Sequence, residues 1–345
     1  MAGNELAVAV IGLGYFSQFH LAAWAAQPGA RMVAVCDVDA DKAQAVSDTI
    51  GVPGFSDVDA LLRNCAPDLV DIVAPPWVHG DLVRTVLAKG RTIICQKPFC
   101  TSVVEAESVI AEAEAAGTRV VIHENFRFQP WYREVKDFLD EGRMGDVYQA
   151  RFILRPGDGR GPDAYLSRQP SFQKMERFLV QETAIHLVDV FRYLLGPIEG
   201  VYADLRKLNP VLKGEDTGIL VFDHLGGGKS LFDGNRLADH PVENKRFVMG
   251  DFALEGEAGL LAIDGDGILT FRPFDATEVQ PIPLSRPMDR SLFGGGCVPA
   301  LIAHVVAALQ DGGEFENEAA DYVTVMRVTE AAYRSAQTRC RVAMD

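Results

Sequence analysis

The sequence predicts an α/β protein with a doubly wound parallel sheet at its amino end, followed by an α+β region that carries antiparallel strands. Three observations predict it. Between Leu6 and about Glu124, short Val- and Ile-rich runs alternate with helix-period segments, as in the near-continuous apolar strands of a sheet covered on both faces. The first of these runs opens into a Gly-x-Gly turn just ahead of a helix. From about Val201 to Pro283 the pattern changes to alternating strands with turn punctuation, such as Gly226-Gly227-Gly228 and Asp264-Gly265-Asp266-Gly267, which implies an antiparallel meander.

In order, the apolar runs are Leu6 to Ile11, Met32 to Cys36, Leu69 to Val73, Thr92 to Cys95 and Arg119 to Ile122. The helix from Asp39 to Ile50 has Asp caps and ends at Gly51, and that from Ser102 to Ala116 ends at Gly117. An amphipathic stretch, Trp131 to Leu139, then leads to a strand from Val147 to Leu154 and a Gly/Pro-rich loop, Pro156 to Pro162, of the kind that carries function. A helix-like segment, Glu182 to Leu195, closes at Gly196-Pro197, and helices near Pro299 to Gln310 and Asn317 to Ala336 complete the chain. With 345 residues, two domains are expected, 1–124 and 125–345.

The bulk numbers exclude several classes. A formal charge of −15 argues against nucleic acid or an anionic membrane as partner. No signal-peptide pattern and no apolar run approaching roughly 20 residues are found, so the expected location is cytoplasmic. Cys36, Cys65, Cys95, Cys100, Cys297 and Cys340 form no C-x-x-C pair and are expected to be reduced, mostly buried thiols. The histidines show no H-E-x-x-H or paired Cys/His spacing, so no metal is expected.

The cofactor expectation begins at Gly12 and Gly14, with Tyr15 and Phe16 in the same turn. Gly12 permits the tight turn, and Gly14 lets the backbone approach a pyrophosphate seated on the helix N-terminus; Ser17 stands at the motif's third glycine. The next strand ends at Asp37, whose carboxylate suits the adenosine ribose hydroxyls and repels a 2′-phosphate, so NAD is expected over NADP. Asp37 as a mere helix cap is the alternative, a role that Asp39 or Asp41 could fill equally well. Gly228-Lys229-Ser230 imitates the end of a phosphate-binding loop, but its flanks read strand–turn–strand, a hairpin.

Lys97, in Gln96-Lys97-Pro98, follows the carboxyl end of a parallel strand, where doubly wound sheets bind ligands. Glu182 and His186 stand four apart on one predicted helical face. At neutral pH an imidazole with an ordinary pKa near ~6.5 can take a hydroxyl proton. A lysine ammonium can stabilise charge on the same oxygen. The plain alternatives are a core histidine and a solvated lysine.

These motifs, together with Ala74-Pro75-Pro76-Trp77-Val78-His79, Asn125-Phe126-Arg127-Phe128 and Glu330-Ala331-Ala332-Tyr333-Arg334-Ser335, resemble the glucose–fructose oxidoreductase/inositol dehydrogenase (Gfo/Idh/MocA) family over nearly the whole chain. The resemblance implies a Rossmann domain for NAD and a second domain built on a large open, mostly antiparallel sheet, with a sugar or polyol held between them. It implies that Lys97 matches the lysine of the family's E-K-P motif, and that Glu182 and His186 match the acid and histidine of its D-x-G-x-H pattern. Gln96 in place of glutamate and Glu182 in place of aspartate are departures.

By the same likeness Pro75, Pro76, His79, Gln96 and Asn125 join the cofactor-binding set, and Arg155, Asp163 and Tyr165 beside the Gly/Pro loop offer groups for sugar hydroxyls. The stretch Arg155 to Tyr165 most resembles D-apiose dehydrogenases, which implies oxidation of an aldose at C1 to a lactone. An inositol, another polyol or a sugar acid as substrate stays open, as does a sugar-sensing regulator without turnover. An open sheet implies a homodimer or homotetramer through the second domain.

Overall fold

The computed structural model describes residues 5–344. Two compact units emerge, one of residues up to Glu124 together with Val298–Met326, the other of Asn125–Cys297 together with residues from Arg327 onward.

The first unit alternates strand and helix: β1 (Leu6–Ile11), α1 (Ser17–Ala26), β2 (Ala30–Cys36), α2 (Ala40–Ile50), β3 (Gly54–Phe55), α3 (Val58–Cys65), β4 (Leu69–Ile72), α4 (His79–Leu87), β5 (Thr92–Gln96), α5 (Val103–Ala115) and β6 (Val120–His123). All six strands are parallel, in the order β3-β2-β1-β4-β5-β6, so the order reverses between β1 and β4. The apolar runs become the central strands: Val8, Val10, Ile93 and Ile94 are wholly buried. Helix starts are fixed by side chains that accept backbone N–H bonds, Asp39 from Lys42, Asp57 from Ala60 and Ser102 from Glu105. The short β3 escapes a reading of apolar runs because it has only two residues.

In the second unit α6 (Pro130–Asp140) precedes β7 (Val147–Leu154), and α7 (Ile185–Leu195) precedes β8 (Ile198–Arg206), β9 (Thr217–His224), β10 (Lys229–Asn235), β11 (Gly250–Gly256), β12 (Gly259–Ile263), β13 (Leu269–Pro273), β14 (Gln280–Pro281) and β15 (Val342–Ala343). These nine strands form one open sheet in the order β14-β13-β12-β11-β7-β10-β9-β8-β15. The expected meander is therefore split in two. Strand β7 inserts between β10 and β11, antiparallel to β11 and parallel to β10, which makes the sheet mixed. Its residues Ala150, Phe152 and Leu154 are buried, as are Leu220, Phe222 and Phe232 of the adjoining strands. Gly228-Lys229-Ser230 lies at the β9–β10 hairpin, where the two strands pair antiparallel.

The last helices are α8 (Cys297–Asp311) and α9 (Ala319–Thr338). Residues 298–326 do not stay with the second unit, contrary to the simple division at 124/125. The reason is a set of bonds to the last strand of the first: Ile122 donates to the Asn317 carbonyl at 2.8 Å, Asn317 Nδ2 to the Glu124 carbonyl at 2.8 Å, and Arg119 pairs with Glu318 at 2.7 Å. Contrary to the expectation of no membrane-length apolar run, the segment Phe293–Asp311 is long and apolar enough to cross a membrane by length and composition. Leu301, Ile302 and Val305 on it are buried, as in the core helix of a folded unit.

Candidate active site

In the first unit, the expected cofactor residues up to Lys97 lie at the carboxyl end of a strand, in the turn after it or at the start of the helix that follows. Gly12, just after β1, has φ 92°, and a Cβ there would lie 2.7 Å from the Ala74 nitrogen, so the turn requires glycine. At Gly14 a Cβ would meet nothing within 4 Å, which leaves the backbone open to a ligand at the start of α1. Tyr15 and Phe16 flank this opening and are half-buried. Asp37 does not cap α2; Asp39 does. Instead, Asp37 Oδ2 accepts the Leu13 N–H of the glycine turn at 2.8 Å and Oδ1 accepts the Asp39 N–H at 3.0 Å, with Lys42 Nζ 3.6 Å away. A carboxylate fixed beside a glycine turn fits the adenosine end of a dinucleotide, and an open helix N-terminus fits its pyrophosphate.

Pro75 is exposed and Pro76 half-buried, in a short 3₁₀ turn, Pro76–Val78, after β4. His79 behind them is fully buried: Nδ1 lies 2.9 Å from the Pro98 carbonyl and Nε2 2.7 Å from that of Ala74. Burial holds its imidazole below the usual value, against the three carbonyls that favour protonation. His79 thus ties the backbone after Lys97 to the loop after β4.

Lys97 is half-buried, and its backbone N–H donates to Gln96 Oε1 at 2.8 Å. Gln96 Nε2 lies 3.1 Å from His20 Nε2 and 3.3 Å from His123 Nδ1. His20 Nδ1 in turn meets Asp71 Oδ2 at 2.7 Å, and Trp24 Nε1 donates to the same oxygen at 2.7 Å. Both polar ends of Gln96 therefore serve bonds inside the unit. Sequence reasoning missed this buried group because its members are spread from position 20 to 123 with no motif; the only signal was the departure at Gln96.

In the second unit the segment expected as one regular helix begins as a π-helical turn, Leu179–Ala184, and becomes α-helical only at Ile185. Glu182 stands in the π turn and His186 in the first α turn, so the expected i, i+4 face is broken between them. Glu215 Oε1 holds the start of the turn by accepting the Phe178 and Val180 N–H groups, each at 3.1 Å, and the Tyr333 hydroxyl at 2.6 Å. His186 is 7% exposed and stacks on Phe126, with ring centroids 4.0 Å apart and 5° between planes.

Glu182 Oε2 accepts from Thr183 Oγ1 and from Arg236 Nη2, each at 2.5 Å. Arg236, which carried no sequence signal, is buried, and its Nη1 donates to both oxygens of Asp158, at 3.2 and 3.1 Å. Burial alone would lower its pKa, but Asp158 and Glu182 hold it above the usual arginine value.

The other expected site residues are placed differently from one another. Asn125 is buried and donates to Cys297 Sγ at 3.2 Å. Arg155 pairs with Asp233 at 2.7 Å, and Asp163 is exposed. Tyr165 is buried against Phe172 and Phe178, and its hydroxyl donates to Asp158 Oδ1 at 3.1 Å. Among the described residues no group of three or more His, Cys, Asp or Glu could hold a metal ion.

Comparison with known proteins bears on both units. Residues 6–124 match the family described as "Oxidoreductase family, NAD-binding Rossmann fold", and residues 132–254 match "GFO/IDH/MocA C-terminal domain". The D-apiose dehydrogenase of Paraburkholderia graminis is 31% identical over 95% of this chain and 87% of its own length. That of Rhizobium rhizogenes is 31% identical over 96% of each. A solved oxidoreductase from Agrobacterium radiobacter, in complex with NAD+, L-tartaric acid and magnesium, superposes with a TM-score of 0.88 at 30% identity, covering 98% of both chains. Levoglucosan dehydrogenase, in complex with NADH and levoglucosan, shares the fold with a TM-score of 0.84 at 20% identity, covering 99% of both chains.

Proposed function

This chain belongs to the GFO/IDH/MocA family and is an NAD-dependent oxidoreductase of CH–OH groups on sugars or polyols; within that class we propose that it oxidises an aldose, D-apiose, at C1 to the lactone. The likeness to two D-apiose dehydrogenases along nearly the whole chain carries this reading. When bound, NAD supplies the hydride acceptor. Gly12, Gly14, Tyr15, Phe16 and Asp37 hold its adenosine and pyrophosphate side, with Pro75 and Pro76 at the loop after β4. His79 and Gln96 act from beneath, by fixing the backbone on either side of Lys97.

In this reading His186 accepts the C1 hydroxyl proton, its ring plane set by Phe126. Lys97 donates to the same oxygen as it gains carbonyl character. Glu182 orients the hydroxyl or balances the charge of the pair. Arg155, Asp163 and Tyr165 belong to the loop region that faces the sugar, Tyr165 by supporting Asp158. The enzyme works as a homodimer or homotetramer assembled on the open sheet of the second unit, where Tyr202 and Ile219 are 41% and 48% exposed. Light scattering that gives a monomer mass at micromolar concentration removes the assembly.

Purified protein should reduce NAD with D-apiose and much less with NADP, and yield a lactone. A ketone product, or turnover of myo-inositol alone, overturns the substrate. Lys97→Ala and His186→Ala should each lower kcat by about 10²- to 10⁴-fold while NAD still binds by titration calorimetry. Wild-type turnover in both removes the assignment of these groups.

A further inference from the structure

Arg236 is the point where Glu182 meets the Gly/Pro loop. Its side chain is 5% exposed, against 23% for Glu182 and 19% for Asp158. Phe178 lies under the guanidinium, 4.6 Å from ring centroid to Cζ, so the group is seated on an apolar floor and cannot swing to water. One face of the fork bonds Glu182 and the Thr183 hydroxyl, and the other bonds both oxygens of Asp158. Arg168 adds a 3.2 Å bond to Asp158, so two guanidinium groups balance two carboxylates. The loop is fastened to the same point through its backbone. Gly159 donates to the Arg236 carbonyl at 2.9 Å, and Asn209 Nδ2 donates to the Gly159 and Gly161 carbonyls at 2.7 and 2.9 Å.

We infer that Arg236 is a positioning residue, which fixes the Glu182 carboxylate within the π turn and couples it through Asp158 to the loop Pro156–Pro162. The inference rests on the reading of Glu182 given above and adds a specific division of labour. A carboxylate whose oxygen accepts from a buried guanidinium and a hydroxyl is held in one orientation, so its part is to orient the sugar while the proton goes to His186. A bidentate fork also resists rotation, which a lysine at the same place would not supply. The loop's contacts with a sugar and the angle of Glu182 then change together.

The test is a double-mutant cycle with D-apiose and NAD. Arg236→Met removes the fork at similar length, and Glu182→Gln removes the charge it holds. Arg236→Met should lower kcat by about 10- to 100-fold, with KM for NAD within about two-fold because the glycine turn and Asp37 lie in the other unit. The double variant should be no slower than Glu182→Gln alone. Arg236→Lys should recover part of kcat, and Asp158→Asn should raise KM for the sugar more than it lowers kcat. Amide exchange, which needs no substrate, should speed up in Arg236→Met across residues 157–169 and 179–184 together.

Wild-type kcat in Arg236→Met, single effects that multiply in the double variant, or exchange unchanged in either segment overturns the inference. Should Arg236→Met fail to fold, Arg236→Lys completes the same cycle with Glu182→Gln. Glu182→Gln at wild-type kcat overturns the reading of Glu182 and this inference with it. An impaired Glu182→Gln with multiplying effects overturns the inference alone. If D-apiose is not turned over the substrate assignment fails, and the exchange measurement still decides the coupling.

Discussion

At position 96 one amide nitrogen serves two imidazole nitrogens, and only a group with two N–H bonds can do this while His20 keeps its own proton on the side of Asp71. A carboxylate there could not donate to either ring. It would need His20 protonated at both nitrogens, between two buried anions. Gln96→Glu, which restores the glutamate of the family motif, should therefore destabilise the first unit by about 1–3 kcal/mol at pH 8. Equal melting temperatures of the two proteins at pH 8 would refute this. The departure at Gln96 was visible in the sequence, but its partners were not. His20, Asp71 and His123 come from three separate elements and share no spacing, so only the folded sheet brings them together.

The π turn shows how an element's type can be set from outside. Glu182 to Leu195 has ordinary helical spacing, and nothing within it distinguishes a five-residue turn from a four-residue one. What holds the wider turn is Glu215, more than thirty positions onward, which takes up two of its leading N–H groups. Tyr333 of α9 completes the contact. Burial, then the neighbouring Glu215, push its phenol far above the usual range, so it remains a donor. Glu215→Ala leaves two backbone donors and a hydroxyl without that acceptor, and should cost about 2–4 kcal/mol in urea unfolding. Tyr333→Phe removes only one bond and should cost about 1 kcal/mol. Equal losses in the two variants would show that Glu215 does not hold the turn. By contrast, the parallel strands of the first unit and the cap at Asp39 were legible, because they depend on local apolar runs and on a side chain reaching three residues ahead. The insertion of β7 beside β10 was not, since pairing between distant strands leaves no local trace.

At the scale of the whole molecule, acid should be the weak side. His79 and His224, one in each unit, are both held below the usual imidazole value, mainly by burial. Unfolding lets each take up a proton at its ordinary pKa near ~6.5, so the unfolded state binds more protons as pH falls below that value. Stability should be full above about pH 7 and decline toward pH 5.5, by up to about 1.4 kcal/mol per pH unit for each histidine. A melting temperature that holds or rises between pH 7.5 and 5.5 would contradict it. The chain path has a consequence of its own. Because Val298–Met326 belongs with the first unit and the residues from Arg327 with the second, neither unit is one continuous stretch. A gene cut after Glu124 would encode a nucleotide-binding half stripped of Asn317 and Glu318, which brace its last strand. Anyone exchanging second units between relatives would have to transplant 125–297 and the tail from 327 as a matched pair, leaving the intervening helices with their original owner.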